Sequence, residues 1–160
     1  MRADELELLL DVYASNPQYL QLTEGSAGEP GHYDLGMLER DVAMAQMTPG
    51  RHIASIHLKE IDDLVGVLDW MEENPFDGMP WIGLVMIHAD WQRQGLASEA
   101  IAALAEVCSR GSSALRAAVI ARNNAGRALA DRLGFAAVST EVKRLASGEE
   151  NVIVLERPLA

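Results

Sequence analysis

Segments with apolar residues at helical spacing alternate along this chain with short runs of nearly continuous apolar residues, and turn-forming residues separate them. Residues 4–15 predict a helix, because Leu6, Leu9, Leu10 and Tyr13 recur three and four apart and Asn16-Pro17 ends the segment. Residues 19–22 are short and apolar, and residues 24–31 read as a loop by composition. A second helix is expected over 35–47, closed by Thr48-Pro49-Gly50. Strand-like runs follow at 52–58 and 64–71, joined by a hairpin at Ile61-Asp62-Asp63. A turn over 74–78 leads to the apolar run 81–88. Beyond it come a helix over 95–108, a strand over 115–121 and a helix over 124–133 capped by Gly134. Two β-rich runs, 136–145 and 151–155, close the chain. The order predicts one α+β domain spanning residues 1–160, with no internal repeat or linker.

Composition narrows the class. A chain of 160 residues can bury a full core. No apolar stretch is long enough to span a membrane, and the acidic start (Asp4, Glu5) is unlike a signal peptide, so a cytoplasmic protein without a membrane partner is expected. The single cysteine excludes an internal disulfide framework, and no metal-finger spacing occurs. Thirteen basic against 24 acidic residues give a net charge of −11. That charge argues against nucleic acid and is compatible with a cationic substrate, although solubility alone also accounts for it.

The candidate chemistry begins at Gln92-Arg93-Gln94-Gly95-Leu96-Ala97, between the run 81–88 and the following helix. A glycine-bearing turn that opens a helix aims several backbone N–H groups at one spot, and the helix start adds partial positive charge. This is a seat for an anion such as a phosphate or pyrophosphate. No Walker-type Lys-Ser/Thr pair and no Gly-x-Gly-x-x-Gly is present.

Leu84-Val85-Met86-Ile87-His88 followed by Gln92-x-x-Gly95-x-Ala97 resembles the central motif of the GCN5-related N-acetyltransferases, the GNAT superfamily. The segment from Asn123-Asn124-Ala125-Gly126 to Leu133-Gly134-Phe135 is similar to a second motif of that family. The resemblance covers roughly residues 50 to 160. It implies a mixed sheet of about six to seven strands with about four helices, acetyl-CoA as cofactor, and transfer of its acetyl group to a primary amine by direct attack in a ternary complex. The acceptor would be a small molecule or a peptide or protein N-terminus. The resemblance places the pyrophosphate on amides of Arg93, Gln94, Gly95, Leu96, Ala97 and Ser98, after Gln92. It places the pantetheine arm along Val85, Met86 and Ile87, with Asn123 bonding that arm and Gly126 letting it lie close. Singly, these residues have plainer readings: Arg93 as a solvated charge, Gln92 as a local cap, Asn123 and Asn124 as a helix start.

Acetyl transfer needs a neutral amine, a polarised carbonyl and a proton for the leaving thiolate. A backbone N–H near Met86 or Ile87 could hold the oxyanion. Asp69, Glu72 and Glu73 are the carboxylates on offer as base; Asp69 interrupts an apolar strand, which a solvent-facing position would also explain, and Glu72 and Glu73 also read as part of a solvated loop. Many family members carry a tyrosine acid on the last helix, where this chain has Ala130. It therefore resembles the branch lacking that acid, and an acyl-CoA-binding sensor or inactive module stays open as the alternative. Tyr13, Tyr19 and Tyr33 fall in the region that usually covers the acceptor site. The family normally opens with a strand, whereas here the pattern opens with a helix. A sheet edge left uncovered in that way hints at a homodimer. His88, Cys108 and the three tryptophans read as packing residues.

Overall fold

A computed structural model describes residues 2–25 and 31–159. Most of the loop expected over 24–31 lies outside them. Three helices come first: α1 (Ala3–Ala14), α2 (Pro17–Glu24) and α3 (Leu35–Met47). Three strands follow, β1 (Arg51–His57), β2 (Leu64–Met71) and β3 (Trp81–Ile87), and then α4 (Leu96–Cys108), β4 (Ala114–Ile120), α5 (Asn124–Arg132), β5 (Ala136–Leu145) and β6 (Gly148–Pro158). The six strands form one mixed sheet in the order β1-β2-β3-β4-β6-β5. This is the α+β, GNAT-like architecture that the motifs imply.

There are five α-helices where the pattern predicts about four. The extra one, α2, is short and opens with Pro17 at its first turn. Proline stops a preceding helix but fits a new one at that position, where its missing N–H costs nothing. Asp34 caps α3 by accepting from the Met37 amide at 2.9 Å. At the end of α5, Gly134 takes a φ of 81° and the Phe135 amide reaches back to the Ala130 carbonyl at 3.0 Å. That cap turns Phe135 into the core.

Two apolar clusters sandwich the sheet. The first joins α1, α2 and α3 to one face through Leu9, Val12, Leu20, Leu38, Val42, Val67 and Met86. The second joins α4 and the α5 end to the other face through Ile101, Leu104, Cys108, Leu115, Phe135, Leu68 and Ile82. Neighbours Val67 and Leu68 serve opposite clusters, as strand alternation requires, and so β2 is apolar on both faces. Among the described residues no helix is long and apolar enough to cross a membrane.

The sheet is not uniform. β2 pairs with β3 along most of its length, from Gly66 opposite Ile87 to Met71 opposite Trp81. β3 and β4 are parallel, yet they pair only at Trp81–Arg116 and Ile82–Ala117. Beyond Ile82 the two strands part. An extra residue in β3, Gly83, lies at a register shift against β2, between the pairs Leu84–Asp69 and Ile82–Trp70. A bulge of this kind bends its strand and ends regular pairing.

The β2–β3 contact is close at Gly66, where an added Cβ would sit 2.6 Å from the Met86 carbonyl oxygen and 2.8 Å from Ile87 Cδ1. Backbone cannot yield to it without separating the strands. Gly66→Ala is expected to cost about 1–3 kcal/mol of stability, read as a lowered denaturation midpoint; an unchanged midpoint would contradict this packing.

Candidate functional site

The parting of β3 from β4 leaves the backbone of residues 83–87 without a partner strand on one side. Unpaired strand edges are normally covered or paired. This one opens into the wedge between β3 and β4 and leads, at its far end, to the turn before α4. Val85, Met86 and Ile87 all lie on this stretch.

The turn is built to present amides. Arg93 has a φ of 62°, and Gly95, the residue preceding α4, has φ 80° and ψ 7°. Left-handed backbone at a non-glycine residue costs about 1–2 kcal/mol, so the Arg93 conformation is held by its surroundings. Glu99 is the first amide of this stretch to find an acceptor, the Gly95 carbonyl at 3.0 Å. The amides of residues 93–98 have none among the described residues, and no side chain caps α4. Six neighbouring donors without acceptors lie at the positive end of a helix dipole, a combination that suits a phosphate group. Gln94, Leu96, Ala97 and Ser98 each contribute a backbone N–H without an acceptor to this stretch.

Gln92 has a different job from its neighbours. Its Nε2 donates to the Ile87 carbonyl at 2.9 Å and to Asn16 Oδ1 at 2.7 Å. Asn16 donates to the same Ile87 carbonyl at 3.0 Å, and Ser15 Oγ accepts from the Ala89 amide at 3.0 Å. The α1–α2 junction thus clamps the end of β3 and the start of the turn. His88 also works locally, its Nδ1 accepting from the Asp90 amide at 3.1 Å.

Across the wedge, Asn123 Oδ1 accepts from the Gly126 amide at 3.0 Å and caps α5. An added Cβ on Gly126 would lie 2.7 Å from Asn123 Nδ2 and 3.0 Å from Val119 Cγ2. The space over Gly126 is filled by the Asn123 amide itself, so the glycine serves the cap first. Ala130 is partly buried against the second cluster. Cys108 is buried in that cluster, and burial pushes its thiol up from its ordinary value.

On the α1–α3 face, Asp69 sits opposite Leu84 and next to the Gly83 bulge, where an added Cβ would meet its carboxyl at 3.5 Å. It is 13 % exposed, and Arg51 grips both its oxygens: Nη2 donates to Oδ2 at 2.6 Å and Nε to Oδ1 at 3.1 Å. This hydrogen bonding is the main reason that the Arg51 guanidinium is held more firmly charged than usual. Asp69 and Arg51 belong to a cavity of about 260 Å³ that also includes Tyr13, Tyr19, Tyr33, Glu24, Asp41 and Leu84. The Tyr33 hydroxyl donates to Asp41 Oδ2 at 2.6 Å, and the Tyr13 and Tyr33 rings stack at 5.2 Å. All three phenols hold their protons more tightly than usual, burial being the first cause for each; Tyr19 is pushed up to about 12, with Glu24 and Asp69 adding to the effect. A larger cavity, about 400 Å³, lies at the other end of the strands around His57, Leu64 and His88.

Glu72 is not brought to the Asp69 cavity. It pairs with His52, Nε2 to Oε1 at 2.6 Å, and His52 stacks on Trp70 of the opposite sheet face. Asp69 and Glu72 are three residues apart, and strand alternation sends such positions to opposite faces. Residues that the sequence reading passed over, Glu24, Asp41 and Arg51, do line the cavity. Asp69 carried a signal as a polar break in an apolar strand, and the tyrosines carried one through their place in the N-terminal region that the resemblance sets over the acceptor site. Among the described residues no cluster of His, Cys, Asp or Glu could hold a metal ion.

Comparison with known proteins agrees with this geometry. Residues 1–136 match the family model described as an acetyltransferase (GNAT) domain, and the chain belongs to that family. No curated protein sequence matches the chain. The crystal structure of an acetyltransferase from Thermus thermophilus superposes with a TM-score of 0.73 at 23% identity, covering 99% of this chain and 94% of that one. Spermidine N-acetyltransferase from Vibrio cholerae, in complex with CoA and spermine, gives 0.72 at 13% identity, covering 99% and 92%. The ribosomal-protein-S18-alanine N-acetyltransferase of Escherichia coli gives 0.63 at 17%, covering 100% and 91%. At these identities the similarity is one of fold.

Glu24 provides a test of the cavity's electrostatics. Burial, and then the charge of Asp41, push its carboxyl above the ordinary 4.5. The folded protein therefore favours protonated Glu24, and the stability tied to that proton is complete below about pH 4.5 and lost as pH rises through the folded value. Glu24→Gln is expected to raise the thermal midpoint near neutral pH and to give no gain at acidic pH, below the ordinary carboxylate value. An equal gain at both would place the effect outside this ionisation.

Proposed function

We propose that this protein is an N-acetyltransferase that moves the acetyl group of acetyl-CoA to a primary amine by direct attack in a ternary complex. The observation that carries the reading is the junction at Leu84, where the open β3 edge meets the tyrosine- and carboxylate-lined cavity. The amides of residues 93–98 would hold the pyrophosphate, and the free edge at Val85–Ile87 would pair with the amide groups of the pantetheine arm, as an added strand does. The run of donors without acceptors is the feature of this chain that fits the coenzyme. The structural neighbour containing CoA and the family membership both support that ligand.

In this reading the amine nitrogen attacks the thioester carbonyl, a C–N bond forms, the C–S bond breaks, and the amine proton leaves. Asp69 takes that proton, directly or through a water, while Arg51 fixes the orientation of its carboxylate. A backbone N–H near Met86 or Ile87 stabilises the oxyanion. The proton for the thiolate comes from a phenol of the cavity, Tyr19 or Tyr13, since no tyrosine stands at Ala130. Firmly protonated phenols are donors in the ground state, and re-protonation from water restores them. Holding both partners in one wedge supplies much of the rate. Two structural neighbours are named for amine acceptors, spermidine and an alanine of ribosomal protein S18, which supports an amine here without choosing between them.

Two substitutions test the two halves of the site. Gly95→Val has room for its side chain, because nothing lies within 4 Å, but it forces a β-branched residue into φ 80°. CoA affinity, measured by calorimetry, is expected to fall at least about tenfold; unchanged affinity would remove the turn as the phosphate seat. Asp69→Asn is expected to lower kcat by about 10²-fold or more, followed as thiol release from acetyl-CoA, with CoA affinity nearly preserved. Full activity would exclude Asp69 as the proton acceptor. Tight CoA binding with no amine-dependent thiol release in the wild-type protein would favour a coenzyme-binding module instead.

A further inference from the structure

The charge of the acceptor cavity does not balance around one reacting nitrogen. Among the described residues Glu24, Asp41 and Asp69 line it against a single cation, Arg51, a net charge of −2. The Arg51 fork is committed to Asp69. Glu24 has no hydrogen-bond or ion-pair partner among the described residues. Asp41 accepts from Tyr33, a neutral donor. A nitrogen that attacks a thioester must be neutral when it does so, and therefore cannot compensate these two carboxylates. Glu24 is partly desolvated, and such a carboxylate is costly without a counter-charge, while the exposed Asp41 adds its charge beside it.

A second feature points to a ligand independently of the acids. Tyr13 is only 8 % exposed and lines the cavity, yet its hydroxyl has no hydrogen-bond partner among the described residues. Among the described residues no buried side-chain polar atom lacks a partner, so this hydroxyl reaches the open space of the cavity, where it can bond to whatever enters. Its ring lies nearly parallel to that of Tyr33, at 12°, so the wall beside Asp41 is aromatic as well as acidic. Aromatic faces attract ammonium groups. The volume of about 260 Å³ is below the usual range for drug-sized ligands, which calls for a small and slender molecule.

We propose that the acceptor is a small aliphatic diamine. One nitrogen, neutral, reacts beside Leu84 and Asp69. The other stays protonated, held by Glu24 and Asp41 against the Tyr13–Tyr33 wall, and accepts no acetyl group. The proposal rests on the acetyl-transfer reading for the first nitrogen, whereas the second nitrogen's site is defined by its own residues. Acceptors with a free carboxylate are disfavoured by the same charges, and a monoamine leaves them unmatched.

The test compares diaminobutane with n-butylamine by calorimetry on wild type, Glu24→Gln and Asp41→Asn, with CoA present. Both substitutions keep the side-chain shape, and the asparagine carbonyl can still accept from Tyr33. Diaminobutane is expected to bind wild type at least tenfold more tightly than n-butylamine, and to lose at least fivefold in each variant. Equal binding of the two amines to wild type, a result independent of how the variants fold, would overturn the proposal, as would unaltered diamine affinity in both folded variants. Thiol release from acetyl-CoA is read separately. Diamine binding without thiol release contradicts acetyl transfer and keeps the two-carboxylate site. Release with n-butylamine or a peptide α-amine at equal kcat/KM keeps acetyl transfer and overturns the diamine.

Discussion

The separation of β3 from β4 after two residue pairs is the constraint on which the rest of the site depends. Continued pairing would give an ordinary closed sheet, with no free edge for an extended ligand and no wedge between the two halves. Gly83 supplies the irregularity, because its extra position in β3 bends that strand at the point where pairing stops. The apex of the wedge is pinned. Arg116 bridges Glu156 at 2.8 Å and Asp77 at 3.1 Å, and Asp77 also accepts from the Trp81 indole at 2.9 Å. The open end is pinned as well, by Gln92, Asn16 and Ser15. Each partly exposed contact of this kind contributes little alone, about 1 kcal/mol or less for an exposed ion pair. The first set holds β3 and β4 together at the apex, and the second anchors the far end of β3 to the α1–α2 junction.

The site divides its charges along this opening. At one end, backbone amides face outward without a single basic side chain being required, which lets a protein of net charge −11 present a positive spot. At the other end, carboxylates and phenols surround the place where an amine would arrive. The stacked tyrosines keep their protons and so add no further negative charge. The left-handed backbone at Arg93 and the partly buried carboxylate of Glu24 both cost stability, and both lie where a ligand of opposite character would offset the cost.

Elements that rest on local rules could be read from the amino acids. The helical pattern placed α3, a strand-like apolar run placed β2 and a β-rich run placed β5, while Gly134 marked the end of α5, because these depend on neighbours in sequence. The α2 helix escaped because Pro17 signals both a stop and a start. The turn at 92–97 was visible because its glycine and helix start are contiguous. The cavity was not. Arg51 reaches Asp69 only through the β1–β2 register, which sets Ile53 opposite Asp69, while Glu24 and Asp41 arrive from two different helices. Asp69 drew notice as a polar break in an apolar strand, but only the fold distinguishes a solvent-facing carboxylate from one gripped by arginine. Glu72 shows the converse: alternation along the extended chain separates it from Asp69, and His52 and Trp70 occupy it on the other face.

Amide hydrogen exchange with and without CoA tests the central claim most directly, because it reports on the same backbone donors that carry it. In the free protein the amides of residues 93–98 have no protein acceptor among the described residues and are expected to exchange rapidly. With CoA bound, exchange in this segment and along residues 83–87 is expected to slow markedly, while the solvent-exposed outer strand β5 stays as it was. Slowed exchange elsewhere, with these two segments unaltered by a saturating amount of CoA, would contradict the account.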